Sequence, residues 1–109
     1  MKAFKRKDYE IAVAHFKQAV LADSNFAPSH YNLGCAYFSK KEYPKAIIAF
    51  SDAIKLNQRY KEAYYNRSLA YFRSRRLKEA KRDAEKAISI NRYYKRARNL
   101  LERIQKSAK

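Results

Sequence analysis

Turn-forming residues are nearly missing from this chain, which has one glycine and two prolines in 109 residues. A fold of many short strands needs such residues at each reversal, so an all-β architecture is excluded and an all-helical one fits. One cysteine, Cys35, allows neither an internal disulfide nor a cysteine metal cluster. A reducing setting, cytoplasmic with the nucleus as alternative, is therefore expected. No apolar run reaches the roughly 18 residues a membrane span needs, and the N-terminus lacks the apolar centre of a signal peptide. Acidic residues are scarce too: 10 Asp and Glu stand against 26 Lys and Arg, for a net charge of +16. Residues 1–60 carry +5 of this and residues 61–109 carry +11. A field of that sign favours anionic partners (nucleic acid, acidic peptide or an anionic surface) without bearing on the fold.

What the chain does have is a period. Shifting residues 27–60 by 34 places them on residues 61–94 without a gap and with ten identities: Tyr31 on Tyr65, Asn32 on Asn66, Ala36, Tyr37 and Phe38 on Ala70, Tyr71 and Phe72, Ala46 on Ala80, Ala53 and Ile54 on Ala87 and Ile88, Asn57 on Asn91, and Tyr60 on Tyr94. A fixed period of this length marks a stacked repeat array. Each unit divides into two helical stretches at a polar break, Ser39 to Glu42 or Arg73 to Arg76, and so predicts a helical hairpin. In the second stretch Ala46, Phe50 and Ala53, then Ala80, Ala84 and Ala87, recur at i, i+4, i+7 on one face. Small residues there let paired helices approach closely, and stacking supplies the burial that one hairpin lacks.

His30-x2-Leu33-Gly34-x2-Tyr37 followed by Ala46-x3-Phe50 resembles the tetratricopeptide repeat pattern, with His30 where that family usually has tryptophan. Residues 61–94 form a weaker copy: Tyr64, Tyr71 and Ala80 match, whereas Arg67 and Ser68 replace Leu-Gly, Ala84 replaces the aromatic, and Gln58 and Arg92 replace the closing proline. The resemblance implies an all-α, right-handed solenoid of about two and a half hairpins in one domain: a truncated repeat 1 (1–26), repeat 2 (27–60), repeat 3 (61–94) and a capping helix (95–109).

Carried backwards, the register leaves only residues 1–6 of a first helix, with Asp8 as N-cap of the second. Tyr9, Ala12, Phe16 and Ala19 then align with Tyr43, Ala46, Phe50 and Ala53, and the chain reads as an excerpt of a longer array, with a naturally short module that has a frayed start as the alternative. Pro28 and Pro44 suit first turns of helices to about Lys40 and Leu56. Helices near 61–74 and 77–90 follow. Ala97, Leu100, Leu101 and Ile104 give the last helix an apolar face, with Arg96, Arg98, Glu102, Arg103 and Lys106 on its polar side.

In that family the first helices of successive hairpins line a concave groove, which here implies Tyr31, Asn32, Cys35, Phe38 and Ser39 from repeat 2 and Tyr65, Asn66, Leu69, Phe72 and Arg73 from repeat 3. Phe4, Lys5, Arg96 and Asn99 extend it. Asn32 and Asn66 offer an extended peptide both donor and acceptor, and Phe4, Phe38 and Phe72 form an aromatic ladder. The helix at Tyr64 to Tyr71 is also similar to co-chaperone repeat domains that clamp the carboxylate ending acidic chaperone tails. Asn66 and Arg96 match that clamp; Tyr31, Cys35 and Leu100 depart from its lysine, asparagine and arginine.

The expected function is therefore non-enzymatic: an adaptor or scaffold binding a protein or peptide, acidic and with a chaperone tail as one candidate. The rival is nucleic-acid or anionic-surface binding through basic edges. One edge carries Lys5, Arg6, Lys7, Lys40, Lys41, Arg75 and Arg76; the other mixes Arg59, Lys61, Arg92, Lys95 and Arg96 with Tyr60, Tyr93 and Tyr94. A third reading is a structural fragment or engineered repeat that self-associates. Catalysis finds no support, since His15, His30 and Cys35 have no base or carboxylate at a recognisable spacing, and His30 reads as a packing residue. No cofactor, metal or small-molecule substrate is expected.

Overall fold

The computed structural model describes residues 6–108 as six helices: α1 (Arg6–Ala22), α2 (Ala27–Ser39), α3 (Tyr43–Leu56), α4 (Lys61–Arg73), α5 (Leu77–Ile90) and α6 (Lys95–Ser107). The described residues contain no strand. Each helix packs on the next, and α4 also touches α2 and α6, so the first helices of successive units stand side by side. The starts of α2, α4 and α6 are 34 residues apart. The terminal helix thus occupies the place of another unit's first helix.

Close approach holds each hairpin together. Ala46, Phe50 and Ala53 of α3 and Ala80, Ala84 and Ala87 of α5 are completely buried. A Cβ on Gly34 would lie 2.6 Å from the Phe50 ring, so the second helix's aromatic fits only because the first helix has no side chain there. Repeat 3 exchanges both partners together. Ser68 replaces Gly34 and Ala84 replaces Phe50; the buried Ser68 hydroxyl then donates to the Ala80 carbonyl at 2.6 Å. A second exchange lies beside it, with Arg67 and Asp83 where repeat 2 has Leu33 and Ala49. Arg67 donates to both Asp83 carboxylate oxygens at 2.7 Å and to the Ser51 hydroxyl at 3.0 Å, joining α4 to α5 and α3. Burial raises the Asp83 carboxyl above its ordinary range, with the Arg67 guanidinium opposing that shift.

Two kinds of joint recur. Within hairpins, Tyr37 and Tyr71 carbonyls accept from Glu42 and Arg76 amides, while Phe38 and Phe72 carbonyls accept from Lys41 and Arg75. This is the Schellman closure, which needs a left-handed residue. Lys41 and Arg75 fill that place, each at φ 61°, in a region that favours glycine. Between hairpins, Asp23, Asn57 and Asn91 each accept from the amide two residues on, at 3.0–3.1 Å. His30 Nε2, Tyr64 Oη and Arg98 Nη1 then each donate to a carbonyl six residues back, on Ser24, Gln58 and Arg92 respectively.

Several expectations change accordingly. His30 is a hydrogen-bonding tie across a joint rather than a packing residue, which is why tyrosine and arginine can replace it. Asp8 lies inside the first turn of α1 rather than at the position before the helix. Arg6 and Lys7 belong to that helix instead of a turn, because helix-compatible residues extend it three positions earlier than α3 and α5, and Asp8 suits its positive end. Phe4, Lys5 and the proposed remnant before Arg6 lie outside the described residues.

The paired exchange predicts strong coupling. Gly34→Ser should destabilise by about 1–3 kcal/mol through overpacking and Phe50→Ala by about 3–5 kcal/mol through the cavity it leaves. The double variant recreates the repeat 3 pair and should fall short of the sum by about 1–3 kcal/mol in denaturant unfolding; simple additivity would refute the account.

Candidate functional site

The sequence-predicted groove residues lie on α2, α4 and the start of α6, but they are not equally free. Tyr31 is half-buried, stacked on Tyr60 with centroids 5.0 Å apart and an interplanar angle of 28°. Its hydroxyl accepts from Asn66 Nδ2 at 2.7 Å. Tyr65 repeats the ring contact with Tyr94 at 5.6 Å. Both tyrosines are therefore largely committed to the joints. Burial drives the Tyr31 phenol well above its usual range, with the Cys35 thiol adding to the shift, and burial together with Glu62 pushes Tyr94 up to about 12.

Asn32 is exposed, whereas Asn66 is half-buried and has one donor engaged by Tyr31. The two rungs are equivalent in register but not in availability. Cys35 is half-buried, and burial raises its thiol, so it lacks the thiolate character of a nucleophile. Asn32, Cys35 and Ser39 line a cavity of about 300 Å³ against Tyr9, Ala12 and Phe16 of α1. Phe38 is held edge-on to Tyr43 at 5.3 Å, and Leu69 and Phe72 are likewise half-buried. Arg73 and Arg96 are exposed.

Arg103 was not singled out as a groove residue. Its guanidinium lies 5.2 Å from the Phe72 ring centre, within cation–π range. The signal was present, since continuing the 34-residue register into α6 aligns Arg103 with Cys35 and Leu69. Assigning α6 a capping role concealed it.

The two edges are less uniform than their sequence suggests. Lys40 and Lys45 both pair with Glu42, at 3.2 and 3.6 Å, and a Lys40 hydrogen bond foremost holds that carboxyl below its usual range. Arg76 pairs with Glu79 at 2.7 Å. Lys41, Arg73 and Arg75 remain exposed. On the other edge Tyr60 and Tyr94 are engaged by Tyr31 and Tyr65, and Lys61 pairs with Glu62. Only Tyr93 of those three rings is openly exposed, at 80%. Among the described residues no group of three or more His, Cys, Asp or Glu side chains could hold a metal. No described helix is long and apolar enough to cross a membrane.

Comparison with known proteins agrees with this architecture. Tetratricopeptide repeat models match residues 27–60 and 61–94. The first tetratricopeptide domain of Spaghetti (RPAP3), solved with the HSP90 peptide SRMEEVD, is 30% identical with a TM-score of 0.91, over 96% of this chain and 83% of that one. The second such domain of human RPAP3, solved with the HSP70 peptide SGPTIEEVD, is 29% identical with a TM-score of 0.87, over 94% and 85%. The Arabidopsis OM64 domain shares the fold at 23% identity and a TM-score of 0.88, over 92% and 83%. No curated protein matches in a sequence search. The chain belongs to the tetratricopeptide repeat family.

The joint tyrosines predict an alkaline response. A phenol whose folded pKa is raised supports folding below its unfolded value near 10 and ceases to do so as pH climbs through the folded value. Stability should therefore fall from about pH 10 towards pH 12, and Tyr94→Phe should flatten that fall. Thermal unfolding monitored across this range checks it, and an unchanged slope in the variant would contradict the assignment.

Proposed function

We propose that this chain is a non-enzymatic adaptor that binds an acidic peptide segment along the face made by α2, α4 and α6. The observation that carries this reading is the composition of that face. Asn32 supplies a free amide for the peptide backbone, Phe38, Leu69 and Phe72 supply partly exposed apolar surface, and Arg73, Arg96 and Arg103 add cations. The RPAP3 domains that resemble this chain were solved with peptides ending in EEVD. The one half-buried thiol suits a reducing, cytoplasmic setting.

The manner of recognition differs from a carboxylate clamp. Tyr31, Cys35 and Leu100 stand where a clamp would need lysine, asparagine and arginine, and Leu100 is buried against the core. Tyr31 also engages the Asn66 amide that a clamp would use. Acidic character would then be read along the peptide through charge-assisted bonds and the net field, rather than at its last residue.

A labelled peptide ending in EEVD should bind with an affinity that falls as salt rises. Amidating its C-terminus should change affinity less than about threefold, and Asn32→Ala with Asn66→Ala should weaken it about tenfold, the equivalent of one or two neutral hydrogen bonds. Fluorescence anisotropy reads all three. A large loss on amidation would restore the clamp, and an unaffected double variant would remove the asparagines from the site. Tighter binding of an RNA oligonucleotide, insensitive to that double variant, would move function to the basic edges.

A further inference from the structure

Repeat 3 carries a cavity that repeat 2 fills with its own side chain. About 310 Å³ lies open between Phe72, Arg73, Arg75, Leu77 and Ser107, at the turn end of the α4 and α5 hairpin where α6 finishes. One period earlier the corresponding positions are Phe38, Ser39, Lys41, Tyr43 and Arg73. There the Tyr43 ring lies edge-on to Phe38, centroids 5.3 Å apart at 64°. Leu77 is the shorter replacement for that tyrosine, and Ser107 the smaller replacement for Arg73. The Phe72 ring consequently has no aromatic partner from its own hairpin; Arg103 lies over it instead, at 5.2 Å.

The surroundings carry one sign. Arg73 and Arg75 line the cavity and Arg103 stands beside its aromatic floor, all three exposed, and among the described residues no carboxylate lines it. The Arg75 backbone is fixed in the left-handed turn, with its amide bonded to the Phe72 carbonyl at 3.1 Å, which directs this cation to the rim. An apolar floor ringed by guanidinium groups is complementary to an aromatic side chain flanked by carboxylates.

We infer that this cavity is a specificity subsite for an aromatic residue within an acidic peptide, the incoming ring taking the place against Phe72 that Tyr43 holds against Phe38. The inference rests on the peptide-binding reading above and names what the turn end of that face selects. It needs no rearrangement, because the cavity is already formed.

The test uses two labelled acidic peptides of about eight residues, identical except that one has a central phenylalanine and the other alanine. The unaltered chain should bind the phenylalanine peptide about tenfold more tightly. Leu77→Tyr restores the repeat 2 side chain and should bring the two affinities within about twofold by weakening the phenylalanine peptide. Arg73→Ser with Arg75→Ser should weaken both peptides and lessen the response to salt. Equal affinities in the unaltered chain, or a preference that survives Leu77→Tyr, would overturn the subsite while leaving peptide binding intact. Failure of both peptides to bind would overturn the adaptor reading and the subsite together. Circular dichroism of Leu77→Tyr matching the unaltered chain ensures that loss of preference reports filling of the cavity, not unfolding.

Discussion

Two helices of one hairpin can approach no closer than the side chains between them allow, and the array depends on that distance being matched at every step. Repeat 2 meets the limit with glycine against phenylalanine, and repeat 3 meets it with serine against alanine. Neither half of either pair is interchangeable alone, since a protein interior behaves as a packed solid in which one extra atom displaces its neighbours. The exchange puts less side-chain bulk between the helices, and beside it the α4 and α5 hairpin carries the polar Arg67 and Asp83 pair. A buried ion pair of this kind contributes little net stability over an apolar one, but its bidentate geometry and its bond to Ser51 fix how repeat 3 sits on repeat 2.

The same economy of space shapes the proposed binding face. Residues that look available in sequence are divided between the ligand side and the joints, because a short first helix of 13 residues must contact its own partner and both neighbours. Tyr31 and Tyr65 go to the joints. Asn32, Arg73 and Arg96 go to solvent, and Phe38, Leu69 and Phe72 serve partly in each role. Charge accumulates towards the C-terminal half, so a bound acidic segment would meet increasing positive potential from α2 to α6. That gradient gives the face a direction as well as a position.

The fold was legible from the sequence because period, helix spacing and the small-residue face all state the same constraint. Ala46, Phe50 and Ala53, with their counterparts in repeat 3, could be assigned to the core before any coordinates. The candidate site was legible only as a set of positions. Register sets Tyr31 against Tyr65 and Asn32 against Asn66, yet it does not reveal that Tyr31 and Asn66 bond to one another across 35 residues. Nor do two separate departures from the family pattern, at Ser68 and Ala84, announce that one compensates for the other. Such pairings are set by three-dimensional proximity, which a linear period encodes only when each position is compared with its partner's replacement. Arg103 shows the complementary failure, in which the expectation of a capping helix drew attention away from a residue of that helix that lies against Phe72.

The inter-hairpin joint occurs three times in the described chain with the same turn and the same six-residue tie, whereas the Schellman closure occurs twice. The molecule can therefore be divided another way, into α1 with α2, α3 with α4, and α5 with α6. Each of these pairs contains one complete, hydrogen-bonded joint, and the divisions fall at Lys41 and Arg75, exposed residues in tight reversals. A trypsin-like protease would recognise these sites by their side chains, and their exposure at turn tips is the usual condition for nicking. Fragments cut at these two places would run across the sequence repeats rather than along them, each keeping one complete joint, whereas cuts at Arg59 and Arg92, exposed in the joint turns themselves, would release the hairpins instead.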